Sequence, residues 1–342
     1  MPDDVREPIL VLSQDYELFF GDSGSVENCL LRPTQLLLDY GRRSGVQITF
    51  FVDAGMLAAF DRHAGSSPGL QRAADTVRRN LEEVAAAGHE IGLHVHPHWE
   101  DTRWQDERWD FSATRYQLRD FDDDEIEDIF RRYHGLLQAL TPDPVQSYRA
   151  GGFCVEPFGR IAGVMRELGV TIESSVVPGA ALVDPDKGFD FADLPDAPWW
   201  FFSDTPARPL PDGEFIEIPV TPCRLTRGYY WGRLARRLQS RLQGPGAGSS
   251  QAGDGRSKAI GRTEVLRRLF GRSLVSELSV DAAKAPVLGR PEIRGQRRRC
   301  WHVMGHPKLL SAEALDELEA FRAAQGIATS LGVTALAQRL RG

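Results

Sequence analysis

Short continuous apolar runs alternate along this chain with longer stretches of helical period, and most of the runs end in polar residues. Ile9-Leu-Val-Leu12 predicts a buried strand that delivers Asp15 and Glu17 at its C-terminal end. Pro33 opens a helix running to Arg43 and closed by Gly45. Gln47 to Asp53 reads as a second strand, Leu70 to Ala87 as a helix stopped by Gly88, and His89 to His94 as a third strand. Trp99 to Asp120 shows no period and is expected to be a long loop. Asp122 to Leu140 is helical, with Asp122-Asp-Asp-Glu125 as an acidic first turn suited to the helix dipole. A strand over Gln146 to Arg149, a helix over Glu156 to Leu168, and strands over Val170 to Ser175 and Phe215 to Thr221 follow. The rhythm ends with a strand from Cys300 to His306, a helix from Ala312 to Ala324 and a strand–helix unit from Ile327 to Leu340.

Strands alternating with helices predict the α/β class with a parallel sheet. Seven or eight strands suit a closed or nearly closed barrel better than an open sheet, and residues 1–342 are read as one domain. Residues 224–298 break the pattern. Arg224 to Gln243 holds six arginines and no acid, with Trp231, Leu234, Leu238 and Leu242 on one helical face. Gly244 to Gly255 is rich in small residues and is expected to be mobile, and Glu264 to Leu274 reads as a second basic helix. Two uses fit this insertion: a lid that packs Trp231 over the barrel and the substrate, or peripheral contact of 224–243 with an anionic membrane surface.

The net charge of −7 argues against nucleic acid as the main partner. The four cysteines are widely spaced, which fits neither a zinc ribbon nor a disulfide framework and suits a reducing compartment. With no signal peptide or bilayer-length apolar run, a cytoplasmic location is expected.

Chemistry concentrates where predicted strands end, the face on which barrel enzymes build their sites. Four of the eight histidines fall between His89 and His98, in Gly-His-Glu-Ile-Gly-Leu-His94-Val-His96-Pro-His98-Trp. His94 and His98, four residues apart, can grip one cation, and a carboxylate from Asp15-Tyr16-Glu17 can complete the set while the other serves as base. Tyr148-Arg149-Ala-Gly151-Gly152 supplies a cation to orient that base and a flexible backbone whose N–H groups can approach an oxyanion. His306 stands at the end of the Cys300 strand, positioned to donate a proton to a leaving amine, with Lys308 beyond it as an anion contact or an exposed lysine.

The ordered set S-x-D-x-E, GHEIGLHxHxH, YRAGG, ESSV and GHPK resembles the polysaccharide deacetylase (nodulation-deacetylase-like) family of carbohydrate esterases. The resemblance runs from residue 9 to about 340, omitting the basic insertion. It implies a distorted parallel (β/α) barrel and metal-dependent removal of N-acetyl groups from an amino sugar in a surface-glycan or glycoconjugate precursor. It makes Asp15 the base, Arg149 its steering residue, His306 the acid, and His94 and His98 ligands of one divalent ion, zinc being expected. Tyr16 stands where the family has a ligating aspartate, so the resemblance passes that role to Glu17. His96 and Tyr16 are left as substrate-facing residues with Gly151, Gly152, Trp231 and Lys308, and Glu173 of the fourth motif as a partner orienting His306. Two rival functions remain open: hydrolysis of a small amide or ureide on the same scaffold, and glycan binding without catalysis.

Overall fold

The computed structural model describes residues 7–342 apart from 112–113, 185–186, 243–252, 258–268 and 272. The main sheet is built from β1 (Ile9–Tyr16), β2 (Ile48–Asp53), β3 (Glu90–Val95), β4 (Ser147–Ala150), β5 (Ile172–Glu173), β6 (Trp200–Phe202), β7 (Phe215–Glu217), β8 (Cys300–Gly305) and β9 (Thr329–Ser330). Their spatial order is β6-β7-β5-β4-β3-β2-β1-β8, with β9 against β1. From β7 to β8 every pairing is parallel, and only β6 runs antiparallel at one edge. With β9, which also pairs parallel with β1, eight strands run parallel, within the expected seven or eight.

The sheet curls into an open barrel. The chain just past β7 reaches β8, where the Thr221 N–H donates to the His302 carbonyl at 3.0 Å, and residues around Leu278 bridge Thr221 and Met304. Around it pack α1 (Arg32–Ser44), α2 (Ala54–His63), α3 (Pro68–Ala86), α4 (Asp123–Gln138), the short α5 (Ala162–Glu167) and α7 (Ala312–Gln325), with α6 (Arg227–Leu242) in the insertion. The last helix, α8 (Val333–Arg341), lays Val333, Leu336, Ala337 and Leu340 against Ile9, Val11, Phe51, Ile172 and Ile216. It thus plugs the end of the barrel opposite the strand C-termini. Glu90 caps this helix, accepting from the Thr334 and Ala335 N–H groups.

Several elements depart from the sequence reading. Helix α2 was not expected: Ala54 to Phe60 are all buried, so it has no polar face to reveal a period. The 99–120 loop contains a tight hairpin, Arg103–Gln105 with Arg108–Asp110, whose turn residues Asp106 and Glu107 both take positive φ. The expected 156–168 helix is reduced to α5 after a single 3₁₀ turn. In the insertion, Pro222–Leu225 pairs with Leu274–Glu277 as a ribbon, so Leu274 belongs to a strand. Most of the expected 244–255 linker and 264–274 helix lies outside the described residues. Gly253 to Ser257, however, are docked: Arg256–Ser257 pair with Gly21–Asp22, and Asp254 accepts from Ser25 and Asn28.

Candidate active site

The C-terminal ends of β1, β3 and β8 and the loops after them enclose a cavity of about 170 Å³. Along β1 the period of two puts Ser13 and Asp15 on the inner face, while Tyr16 turns outward. Tyr16 is fully buried and donates its hydroxyl to Asn80, so it is not substrate-facing as expected. Glu17, just past the strand, returns to the cavity.

The ligand atoms of Glu17, His94 and His96 all lie within 4.8 Å of one another. His96 Nε2 is 2.6 Å from Glu17 Oε2, and His94 Nε2 is 3.5 Å from the same oxygen. The trio therefore contains His96 where the sequence reading had His98, because β3 ends at Val95 and Pro97 opens a 3₁₀ turn that swings His98 aside. His98 still lines the cavity, its ring stacked on Tyr116 and against Phe20 and Phe111, its Nδ1 buried without a hydrogen-bond partner.

The donor set fits a divalent cation. His94 Nδ1 lies 2.8 Å from the Arg149 carbonyl, which can only accept, so Nδ1 carries a proton and the neutral ring presents its lone pair at Nε2. That lone pair faces oxygens of Glu17 and of Asp15, the latter at 3.9 Å, so acceptor confronts acceptor until something positive lies between them. Burial by itself lowers the His94 imidazole, yet Asp15 and Glu17 override it and raise its pKa. Lys308, expected to contact an anion or stand exposed, is buried and donates to Glu17 Oε1 at 2.9 Å and to the Leu18 carbonyl at 2.8 Å. Against the cost of burial, Lys308 and His96 hold the Glu17 carboxyl well below its usual range.

Asp15 is gripped from the other side. Arg149 is wholly buried under the barrel mouth, its Nη1 donating to Asp15 Oδ1 at 2.6 Å. Its Nε donates to the Ser174 carbonyl at 2.8 Å, and its guanidinium lies over the Phe51 ring. Arg149 Nη2 also meets His302 Nε2 at 3.2 Å, and the Ser13 hydroxyl reaches the same nitrogen at 2.8 Å. His302 Nδ1 donates to the Ile218 carbonyl, and burial together with Arg149 drives its pKa well below the ordinary value, so it is a neutral acceptor. With Oδ1 fixed, Asp15 Oδ2 faces His94 and His306, each at 3.9 Å.

His306 has its own carboxylate partner. Asp281 Oδ1 accepts from the His306 backbone N–H at 2.9 Å, and both its oxygens lie 3.2 Å from Nδ1. Burial pulls the imidazole down, but Asp281 more than offsets it and pushes the pKa up to about 9. Glu173 does not take this part. It accepts from the Ser175 N–H and hydroxyl and sits beside Glu217, its in-register neighbour on β7, away from His306. The pattern missed Asp281 because it lies at the end of the irregular insertion. Asp53 was also missed, although it ends a predicted strand, the very signal that picked out Asp15.

Gly152, at φ +59°, lines the cavity, whereas Gly151 makes room for His96: a Cβ there would stand 2.5 Å from its Nδ1. Trp231 is not over the cavity. It is 45% exposed, packs edge-on against Phe270 and donates its indole N–H to the Leu269 carbonyl.

No protein-family model matches this sequence, and no curated protein matches it. The solved structures similar to it include polysaccharide deacetylases and carbohydrate esterases of family CE4. One is a Mycobacterium smegmatis protein assigned as a polysaccharide deacetylase, at 16% identity over 91% of this chain and 77% of that one, TM-score 0.45. Another is a family 4 carbohydrate esterase from Streptomyces lividans in complex with acetate, at 11% identity over 95% and 92%, TM-score 0.39. A third is a CE4-family pseudoenzyme from Bacillus anthracis, at 12% identity over 96% and 65%, TM-score 0.37.

Proposed function

We propose that this protein is a metal-dependent hydrolase that removes the N-acetyl group from an amino sugar of a glycan or glycoconjugate precursor. The observation that carries the reading is the convergence, in one cavity, of the Glu17–His94–His96 trio, an Arg149-held Asp15 and an Asp281-held His306. Glu17, His94 and His96 would hold the ion, zinc being the natural occupant of a borderline N/O set. When bound, it would act as a Lewis acid toward the amide carbonyl and a water.

The chain's own groups divide the proton work. Asp15 takes the proton of the attacking water at Oδ2, since Oδ1 is committed to Arg149. His306 delivers a proton from Nε2 to the departing amine, since Nδ1 is committed to Asp281. An acid with its pKa near 9 still holds the proton it must deliver at neutral pH. Phe19, Phe20, Phe111, Tyr116 and Phe153 line the rest of the cavity and offer apolar faces to a sugar ring. The cavity is small beside the roughly 300–1,000 Å³ of drug-sized pockets, which suits an acetamide and part of one ring.

The test is acetate release from N-acetylated sugars by zinc-loaded protein, abolished by chelator and restored by the metal. Ammonia in place of acetate would redirect the reading to a ureide or small amide. A protein that binds no divalent ion would remove its basis.

A further inference from the structure

Asp53 ends β2 and occupies the N-cap position of α2, where an aspartate ordinarily accepts from the exposed helix N–H groups. It makes no such bond. Instead one oxygen, Oδ2, accepts the indole N–H of Trp99, and Trp99 is itself pressed on Gly55, where a Cβ would meet its side chain at 2.9 Å. The carboxylate is thereby turned from the helix toward the cavity, which it lines beside His94, its in-register neighbour on β3. Its second oxygen, Oδ1, is buried without a hydrogen-bond partner, and the residue is 2% exposed. A buried carboxylate oxygen left unpaired is expensive, and a helix cap has been forfeited to keep it so.

Two kinds of group could satisfy that oxygen: a cation or a hydrogen-bond donor. Asp53 is not a member of the mutually close trio of Glu17, His94 and His96. A carboxylate accepts only, so its complement in this cavity is an N–H or O–H brought by the substrate. We infer that Asp53 is a substrate-binding residue, its free oxygen accepting a hydrogen bond from a hydroxyl or the amide N–H of the acetamido sugar. This rests on the deacetylase reading. Such a contact gives the pocket specificity, because a ligand without the donor leaves the buried oxygen unpaired.

The experiment compares wild type, Asp53→Asn and Asp53→Ala, each checked for a folded thermal transition, in three titrations: zinc, N-acetylglucosamine and acetate. Acetate carries no donor at neutral pH and serves as the control. The expected result is sugar affinity weakened about tenfold or more in both variants, in line with loss of a charge-assisted hydrogen bond. Zinc stoichiometry and affinity should stay unchanged, and acetate binding should be unchanged or tighter. Zinc affinity lost together with sugar affinity would make Asp53 a ligand and overturn the inference. Sugar affinity equal to wild type in both variants would leave Asp53 as no more than the anchor of Trp99. Wild-type protein that binds zinc but neither binds nor deacetylates the sugar would sink the deacetylase reading itself, and this inference with it.

Discussion

Among single residues, His306 has a consequence that can be read by pH. Its pKa of about 9 depends on Asp281 outweighing burial, so the proton needed by the leaving group is present through neutral pH and lost above 9. The activity profile should therefore fall on the alkaline side near pH 9. Asp281→Asn should move that limb toward the ordinary histidine value, a shift seen in kcat/KM against pH. Arg149→Met would leave Asp15 buried without its partner. The expected cost is about 3–5 kcal/mol in denaturant unfolding, together with loss of turnover. Glu217 points the other way. Burial, then Glu173 beside it, raises its carboxyl well above the usual range. Folding therefore binds a proton there, and its contribution is complete below the unfolded value near 4.5 and shrinks as pH rises. Glu217→Gln should raise the denaturant midpoint at pH 8 and change it less at pH 5.

Among elements, the strand ends carry the site and the connections decide its details. Gly151 follows β4 and leaves space for the His96 ring, so Gly151→Ala must displace a residue of the candidate ion site. Its zinc affinity should drop at least tenfold with little loss of melting temperature, as read by metal titration and calorimetry. Asp15, His94, Arg149 and His306 were legible in sequence because a buried run that stops at a polar residue marks a strand end. His96 took the place expected of His98 because Pro97 ends the extended backbone and opens a 3₁₀ turn, so the alternation that sets His94 and His96 on one face stops before His98. Tyr16 was misplaced by the same arithmetic: strand β1 continues through it, and its alternation sends the ring outward to Asn80. Helix α2 was invisible because a helix buried nearly all round shows no amphipathic period.

At the scale of the whole molecule, the insertion is part of the site's support. Its end supplies Asp281 to His306, and its middle pins the loop after β1 through Asp254. Burial works against that carboxyl, but hydrogen bonds from Asn28 and Ser25 hold it down to about 2. This contribution is present above the unfolded value near 3.8 and fades as pH falls through 2. Asp254→Ala should speed amide hydrogen exchange across residues 21–29 while the barrel strands stay protected. Among the described residues no helix is long and apolar enough to cross a membrane. By itself the sequence determined the alternation of strands and helices, the parallel sheet, and the strand ends at which chemistry gathers, because burial and period are local properties of the chain. Only the tertiary structure decided that His96 joins Glu17 and His94, that Asp281 rather than Glu173 serves His306, and that Asp53 keeps an unpaired oxygen in the cavity. Those outcomes depend on where strand ends and loops distant in sequence converge, and neither composition nor spacing encodes that convergence.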